Sequence, residues 1–597
     1  MALPESKPIQ SSEQKEKTLD RQLLGSALLI AAITYVSALR YGFVYDDSPL
    51  VVNNPFIKFW KYLPQYFVTS LWKQIYPLDP GNYYRPLFLV WVRLNYAWFS
   101  DRPFGWHLGA LVLHIVVTWM VYAVIRKMTG SAGLAWMTAL LFGVHPMHHD
   151  VVAWISGESE SFQAMFFLGA FLAYLYARDG ARTAWMSVSC GLYGLALLSK
   201  ETAIVLPALV FAHYWIAGDP VAARESPESP RPWRRAIGAA AFYVPVALVY
   251  FVVRYMVLSG FSHANSQESV SEWFLTLPSI LFFYLKHWLL PVRLSVYYDL
   301  TVQSQLTMTG VVLPALVLIA VAVAIWFFRK RLGARDVGYA FAWMAIPLLP
   351  ALDTFVFAPD QFVQDRYFYV PSIGAALLVA LIVERAAKKP AVIFGRPLHV
   401  VVAAFALTTA LVICAARVLP IWNDDYSLTE RGYLVAPGNA RAANNFSVEL
   451  LDRKEIDKAH AVLDAGILRH PQNSGLLYNL SRVLYMKREF PQAEQYVRQS
   501  IALAPNYPDA YESLGRILLR QNRTAESLAN FRHAVELNPY SAPFHTSYGV
   551  VMASGGDCAG AVKQFEEALA LNPGDFVTQL QMYRCRAALS RDSSSTK

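Results

Sequence analysis

The sequence predicts an all-α protein in two parts. A polytopic bundle of about 11 membrane-spanning helices comes first and an α-helical solenoid follows it. Three observations carry this reading. The 597 residues are 55% hydrophobic and only 16% charged, where an ordinary soluble domain is about 25% charged. Apolar runs alternate with short loops, and basic clusters fall in every second loop, as the orientation of membrane helices requires. Beyond Pro420 the hydropathy drops, and Pro437, Pro471, Pro505, Pro539 and Pro573 recur every 34 residues. The net charge of +9 sits in those loop clusters, so it is not read as a nucleic-acid surface.

In chain order, Met1–Asp20 is polar and expected to be disordered, so residues 1–21 form a cytoplasmic N-terminal tail. Lys7, Lys15, Lys17 and Arg21 precede the apolar run Leu23–Leu39, which lacks a small-residue cleavage site and is therefore expected to remain as a helix spanning the bilayer. Residues 22–419 make up the membrane domain. Tyr41–Tyr84 is rich in aromatic residues and proline, Tyr76 among them, as suits helices lying in the interface. Leu87–Phe99, short and interrupted by Arg93 and Asn95, is read as a further interfacial helix.

The remaining spans are expected at Trp106–Ile125, Leu134–Val144, Phe162–Tyr176, Trp185–Leu198, Ile204–Ala217, Ala236–Leu258, Val311–Phe328, Tyr339–Phe357, Phe368–Val383 and Val400–Val418. Trp273–Leu290 carries Lys286, His287 and Pro291 and is left as interfacial or re-entrant. Basic clusters at Arg126-Lys127, Arg178 with Arg182, Arg224 to Arg235, Arg329-Lys330-Arg331 with Arg335, and Arg385 to Arg396 then mark the cytoplasmic loops. The other loops, and everything after Leu419, face the outer compartment. That compartment is the periplasm, or the lumen of the endoplasmic reticulum in a eukaryote.

Residues 420–439 are read as a linker or first helix, 440–590 as about four repeats with a capping helix at Phe576–Leu589, and 591–597 as a disordered tail. The 34-residue period is that of tetratricopeptide repeats, and small and large packing positions repeat with it, as in Gly515 and Phe531, then Gly549 and Phe565. Stacked pairs of this kind present a concave groove to an extended peptide. Of the four cysteines, Cys190 and Cys414 lie in apolar runs. Cys558 and Cys585 are either a pair in an oxidising compartment or two small hydrophobes.

The outer loops gather the polar residues that could do chemistry. They are Asp46-Asp47, Tyr84-Arg85, His145, His148, His149, Asp150, Trp154, Glu158, Glu160, Lys200-Glu201 and Asp365-Arg366. Carboxylates beside a membrane helix are costly to place there. They suit either a general base or a divalent cation, Mg or Mn, bridged to phosphate, and the sequence leaves the two open. Arg85, Lys200 and Arg366 suit a phosphate, Arg through its bidentate fork and Lys as a point charge. The three histidines are spaced either as metal ligands or as hydrogen-bonding residues at a helix end.

Several motifs together resemble the transmembrane and tetratricopeptide-repeat O-mannosyltransferases. They are Tyr45-Asp46-Asp47, Tyr84-Arg85-Pro86-Leu87, Arg93-Leu94-Asn95-Tyr96, His145-Pro146-Met147-His148 with Val152-Ala153-Trp154 and Gly157, Leu198-Ser199-Lys200-Glu201, and Arg366-Tyr367-Phe368-Tyr369-Val370-Pro371-Ser372. The resemblance implies a C-type glycosyltransferase fold, a polyprenyl-phosphate sugar donor, and inverting transfer of a sugar, mannose by analogy, to Ser or Thr hydroxyls of proteins. By the same resemblance Asp46 and Asp47 stand at the acidic motif of the first outer loop. Lining residues would be Tyr84, His145, His148, His149, Asp150, Trp154, Glu158, Glu201 and Asp365. The chain departs from the family pattern at His149-Asp150, at Gly157-Glu158-Ser159-Glu160 and at Asp365, and its short repeat array looks like that of a bacterial or otherwise minimal relative. Two alternatives are carried forward. One is a non-catalytic scaffold recruiting proteins through its repeats, and the other is sugar transfer to a lipid or glycan.

Overall fold

The computed structural model describes residues 7–73, 75, 81–180, 182–218, 232–260, 268–357, 361–386, 392–393 and 396–595. Tyr76, the basic stretch from Arg224 to Arg231 and the first residues of the 358–367 loop lie outside them. The described chain is helical apart from a two-residue strand pair, Val392–Ile393 with Arg396–Pro397. It divides into two compact units, Met1–Leu71 with Gly81–Leu428, and Trp72–Pro80 with Thr429–Lys597.

In the first unit the helices are α1 (Lys7–Tyr35), α2 (Pro86–Phe99), α3 (Pro103–Thr129), α4 (Ala132–Gly143), α5 (Ser159–Asp179), α6 (Arg182–Ser199) and α7 (Leu206–Ala217). They continue as α8 (Pro232–Ala241), α9 (Val244–Leu258), α10 (Val270–Leu289), α11 (Leu313–Phe328), α12 (Ala334–Leu348), α13 (Ser372–Glu384) and α14 (Leu398–Val418). The polar stretch expected to be disordered is helical from Lys7 onward. Its Lys, Glu and Gln residues are good helix formers, and they run on into the apolar segment without a break.

The expected count of eleven spans is not reached by length and apolarity. Among the described residues five stretches qualify, at Lys17–Arg40, Pro103–Thr129, Met308–Phe328, Ala334–Val356 and Leu398–Asn423. A sixth is added if α8 and α9, bent by 43°, form one broken span. The other expected spans do fall on helices, but α4 with 12 residues and α13 with 13 reach only about 18–20 Å at 1.5 Å per residue. That is short of a hydrocarbon core of about 30 Å. The ambiguous 273–290 segment is one helix, α10, started by a capping box between Ser269 and Glu272.

Charges are segregated along these helices. At one end Arg126 pairs with Asp20 at 3.5 Å, Lys127 with Asp179, and Arg385 with Asp336 at 2.6 Å. At the opposite end of α1 and α4, the Tyr35 hydroxyl donates to the His145 carbonyl. The loops that follow there carry the acidic and histidine motifs. Close helix contact is made possible by Gly374, where a Cβ would stand 2.3 Å from the Ala340 carbonyl oxygen, the small-residue packing usual in membranes.

In the second unit the 34-residue period becomes four antiparallel pairs. They follow α15 (Asp425–Val435), which straddles the boundary, and are α16 (Ala440–Asp452) with α17 (Ile456–Arg469), α18 (Ser474–Met486) with α19 (Phe490–Leu503), α20 (Pro508–Arg520) with α21 (Thr524–Leu537), and α22 (Ala542–Ser554) with α23 (Cys558–Leu571). Gly515 and Gly549 admit the rings of Phe531 and Phe565, which would lie 2.9 and 2.7 Å from an added Cβ. The last helix, α24, runs Phe576–Ser595. It passes beyond the expected end at Leu589 and into the tail expected to be disordered, because no Gly or Pro follows Phe576 to stop it.

Candidate active site

The first-loop acids are held by a strained turn. Tyr45 takes φ +56°, a left-handed conformation that costs a non-glycine residue about 1–3 kcal/mol. Its backbone N–H donates to Asp425 Oδ1 at 2.6 Å, and its ring meets Trp154 and Tyr297. The turn separates the two acids. Asp47 is fully buried and accepts from Val44 N at 3.2 Å and from both N and Oγ of Ser156 at 2.8 Å. Burial pushes its carboxyl up to about 7, against the pull of the Ser156 hydrogen bonds. Asp46 is half-buried.

Around Trp154 the remaining motifs converge. Its ring stacks on Trp422 at 5.6 Å and 17°, and the Arg366 guanidinium lies 4.9 Å from the Trp154 ring centre and 5.4 Å from that of Tyr367. The Arg366 backbone N–H donates to Asp150 Oδ2 at 3.1 Å. Burial raises the Asp150 carboxyl to about 6, against the pull of the Arg366 charge. Gly157 lets this loop close, since a Cβ there would stand 2.1 Å from the Asp150 carbonyl oxygen.

The three cations differ in their pairing. Arg85 is engaged bidentately by Glu201, at 3.0 and 2.5 Å. The Glu201 carboxyl is raised by burial but pulled down further by Arg85, to about 2. Lys200 is buried against Glu160 and sits 5.6 Å over the Tyr367 ring. Burial lowers its pKa, and the Glu160 charge opposes that. Among the described residues no carboxylate lies within 4 Å of the Arg366 guanidinium.

The histidines diverge. Trp422 Nε1–H donates to His149 Nδ1 at 2.8 Å, so His149 Nε2–H donates to Asp365 Oδ2 at 3.1 Å. The Tyr298 hydroxyl reaches the same oxygen at 2.5 Å. His145 stacks on Trp288, accepts from Met147 N and donates to the Trp288 carbonyl at 3.0 Å. His148 turns to Ser372 Oγ at 3.0 Å. Their ring nitrogens therefore serve three separate partners, and no cluster of His, Cys, Asp or Glu with metal-ligand geometry occurs among the described residues.

Of the expected residues, Asp46, Asp47, His149, Asp150, Trp154, Asp365 and Arg366 thus form one contiguous group. Arg85, Lys200 and Glu201 join it through Glu160 and Tyr367. Tyr84 is spent on packing, its ring near Tyr250 and its hydroxyl on the Phe67 carbonyl. Glu158 is buried toward Gly109 and Trp91, and burial pushes its carboxyl up to about 8. Ser156, Tyr298, Trp422 and Asp425 were not singled out by sequence. An aromatic residue just past the last span, or a serine between two motifs, carries no mark of its own.

Comparison with known proteins bears out the resemblance drawn from the motifs. The family model for dolichyl-phosphate-mannose-protein mannosyltransferases matches residues 84–251, and that for tetratricopeptide repeats matches 446–508 and 512–576. The chain is 25% identical to the protein O-mannosyl-transferase Tmtc3 of Drosophila melanogaster, over 72% of this chain and 53% of that protein. It is 25% identical to protein O-mannosyl-transferase TMTC3 of Mus musculus, over 72% and 49%. With Tmtc1 of Drosophila melanogaster the identity is 33%, over 30% and 21%. The chain spans about half the length of the curated relatives it matches across most of its own.

Proposed function

We propose that the chain is a membrane protein O-glycosyltransferase, moving mannose from a polyprenyl-phosphate donor to Ser or Thr hydroxyls of proteins on the outer side of the membrane. The repeats bind the acceptor. The observation that carries this reading is the state of Arg366. It is a half-buried guanidinium lying over the Trp154 ring with no carboxylate within 4 Å among the described residues, while Arg85 and Lys200 nearby are each ion-paired with a glutamate. A planar cation whose guanidinium is not engaged in a direct ion pair suits a phosphate.

In this mechanism Asp46 is the general base and Asp47 positions it. Both oxygens of Asp47 are committed to Val44 and Ser156 in a sealed pocket, whereas Asp46 lies toward the surface of the turn. Asp46 takes the proton of the acceptor hydroxyl as its oxygen bonds to the anomeric carbon. The bond from that carbon to the phosphate oxygen breaks on the opposite face, which inverts the configuration. Charge develops on the departing polyprenyl phosphate, and Arg366 stabilises it with a contact stronger in the transition state than in the ground state. The pairs Arg85–Glu201 and Lys200–Glu160 hold the surrounding loops, and Arg85 offers a second cation should Glu201 swing away. The opposite-end segregation of basic pairs and acidic motifs supports an outer location for the site.

The test is mass spectrometry of outer-compartment proteins from cells carrying the parent chain or its Asp46→Asn variant. Hexose on Ser or Thr that vanishes in the variant is expected. An unchanged set of glycopeptides would reject the reading.

A further inference from the structure

We propose that Cys558 and Cys585 are a disulfide-forming site that fastens the final helix of the repeat array to the one before it. Cys558 opens α23, directly after the Asp557 cap, and Cys585 sits in the middle of α24. Their sulfur atoms lie 2.8 Å apart, within an ångström of a covalent S–S bond of about 2.05 Å. Cys585 is buried with Ala561 and Phe565 in the terminal core, against which Cys558, Met552, Val562 and Met582 also pack.

The location gives the bond a purpose. A repeat is held by its two neighbours, and the terminal one has only one. The outer face of α24 exposes Phe576, Val577 and Tyr583, so little apolar burial holds this helix in place. A bridge between positions 27 residues apart closes a loop of chain around that weak end and removes freedom chiefly from its detached states.

The chemistry is thiol–disulfide exchange with a disulfide donor, either a small-molecule disulfide or a dithiol oxidase of the outer compartment. Cys558 is the more accessible thiol and attacks the donor first. A mixed disulfide forms and the donor's first thiolate leaves. Cys585, whose thiol burial pushes up to about 11, then displaces the donor's second thiolate from Cys558 Sγ as it loses its proton. Two protein thiols are oxidised and one donor disulfide is reduced to two thiols.

Oxidation in the cell rests on the outer location given under Proposed function, and the experiment separates the two. The full chain in native membranes is acid-quenched, denatured and labelled with a polyethylene-glycol maleimide, with and without reductant. Two adducts are expected without reductant, from Cys190 and Cys414, and four with it. The Cys558→Ala variant should give three in both. Detergent-solubilised full chain is then treated with oxidised glutathione. Four adducts from membranes but two after this treatment would leave the disulfide site standing and overturn the outer location. Four adducts under both conditions would overturn the disulfide site itself.

Discussion

The guanidinium of Arg366 lies 4.9 Å from the ring centre of Trp154, and Trp154 is itself stacked on Trp422. The cation is thus backed by aromatic faces and, among the described residues, is held in no ion pair, which leaves its N–H groups for a ligand. Arg366→Ala should reduce transfer by about 10- to 100-fold, the value of one charge-assisted contact of about 1.5–3 kcal/mol. Arg366→Lys should recover only part of that, because a point charge lacks the fork. Single-turnover rates with polyprenyl-phosphate mannose are the measurement. Equal rates for the parent and Arg366→Ala would remove Arg366 from the mechanism.

Asp46 and Asp47 should fail in different ways. Asp46→Asn removes a base, and such losses are about 100- to 10,000-fold in rate, with thermal stability close to the parent's. Asp47→Asn turns an amide toward N–H donors, since Val44 N reaches one oxygen and Ser156 N the other. A buried donor without an acceptor costs about 1–3 kcal/mol, so this variant should melt earlier as well as react slowly. Melting curves alongside rates separate the two. Matching melting losses in both variants would break the division of roles.

The architecture was readable from the chain because hydropathy and a 34-residue proline period are properties of the sequence itself. Span number was less readable. A run such as Leu134–Val144 is apolar enough to suggest a crossing, and only its helix length in the fold shows that α4 is short for one. At the site, sequence gave the types of residue but not their partners. Lys200 and Arg366 look alike in a list of basic residues, yet one is neutralised by Glu160 and the other rests on Trp154. Those pairings depend on residues tens to hundreds of positions away. Trp422 was invisible for the same reason, because an indole past the last span reads as an interface anchor until its N–H is found on His149, 273 positions earlier.

Trp422 therefore makes a prediction of its own. Its N–H fixes the proton of His149 on Nε2 and so the hydrogen bond to Asp365. Trp422→Phe keeps most of the stacking on Trp154 but loses that donor, leaving a buried imidazole nitrogen unsatisfied. The expected loss is about 1–3 kcal/mol in stability, together with slower transfer as the Asp365–Arg366 turn loosens. Thermal unfolding and transfer rate, measured on the same preparation, should fall together. A variant that melts and reacts like the parent would show that the histidine needs no such support.

Glu158 gives the pH dependence. Buried beside Gly109, its carboxyl is raised to about 8 in the folded chain from an ordinary 4.5. Below the ordinary value both states hold the proton and the full stability is present. As pH rises the unfolded chain releases it while the folded chain keeps it, so stability falls, by at most about 1.4 kcal/mol per pH unit. Once pH passes the folded value both states are ionised and the slope ends. Asp47, raised to about 7, and Asp150, raised to about 6, act with the same sign over lower windows. Glu158→Gln mimics the protonated acid and should remove this share of the decline all the way from the ordinary value of 4.5 to about 8, leaving a reduced slope at lower pH, where Asp47 and Asp150 still contribute, and almost none between about pH 7 and 8. The check is the melting temperature of the solubilised full chain across that interval, and identical slopes in parent and variant would mean that Glu158 is ionised in the folded protein.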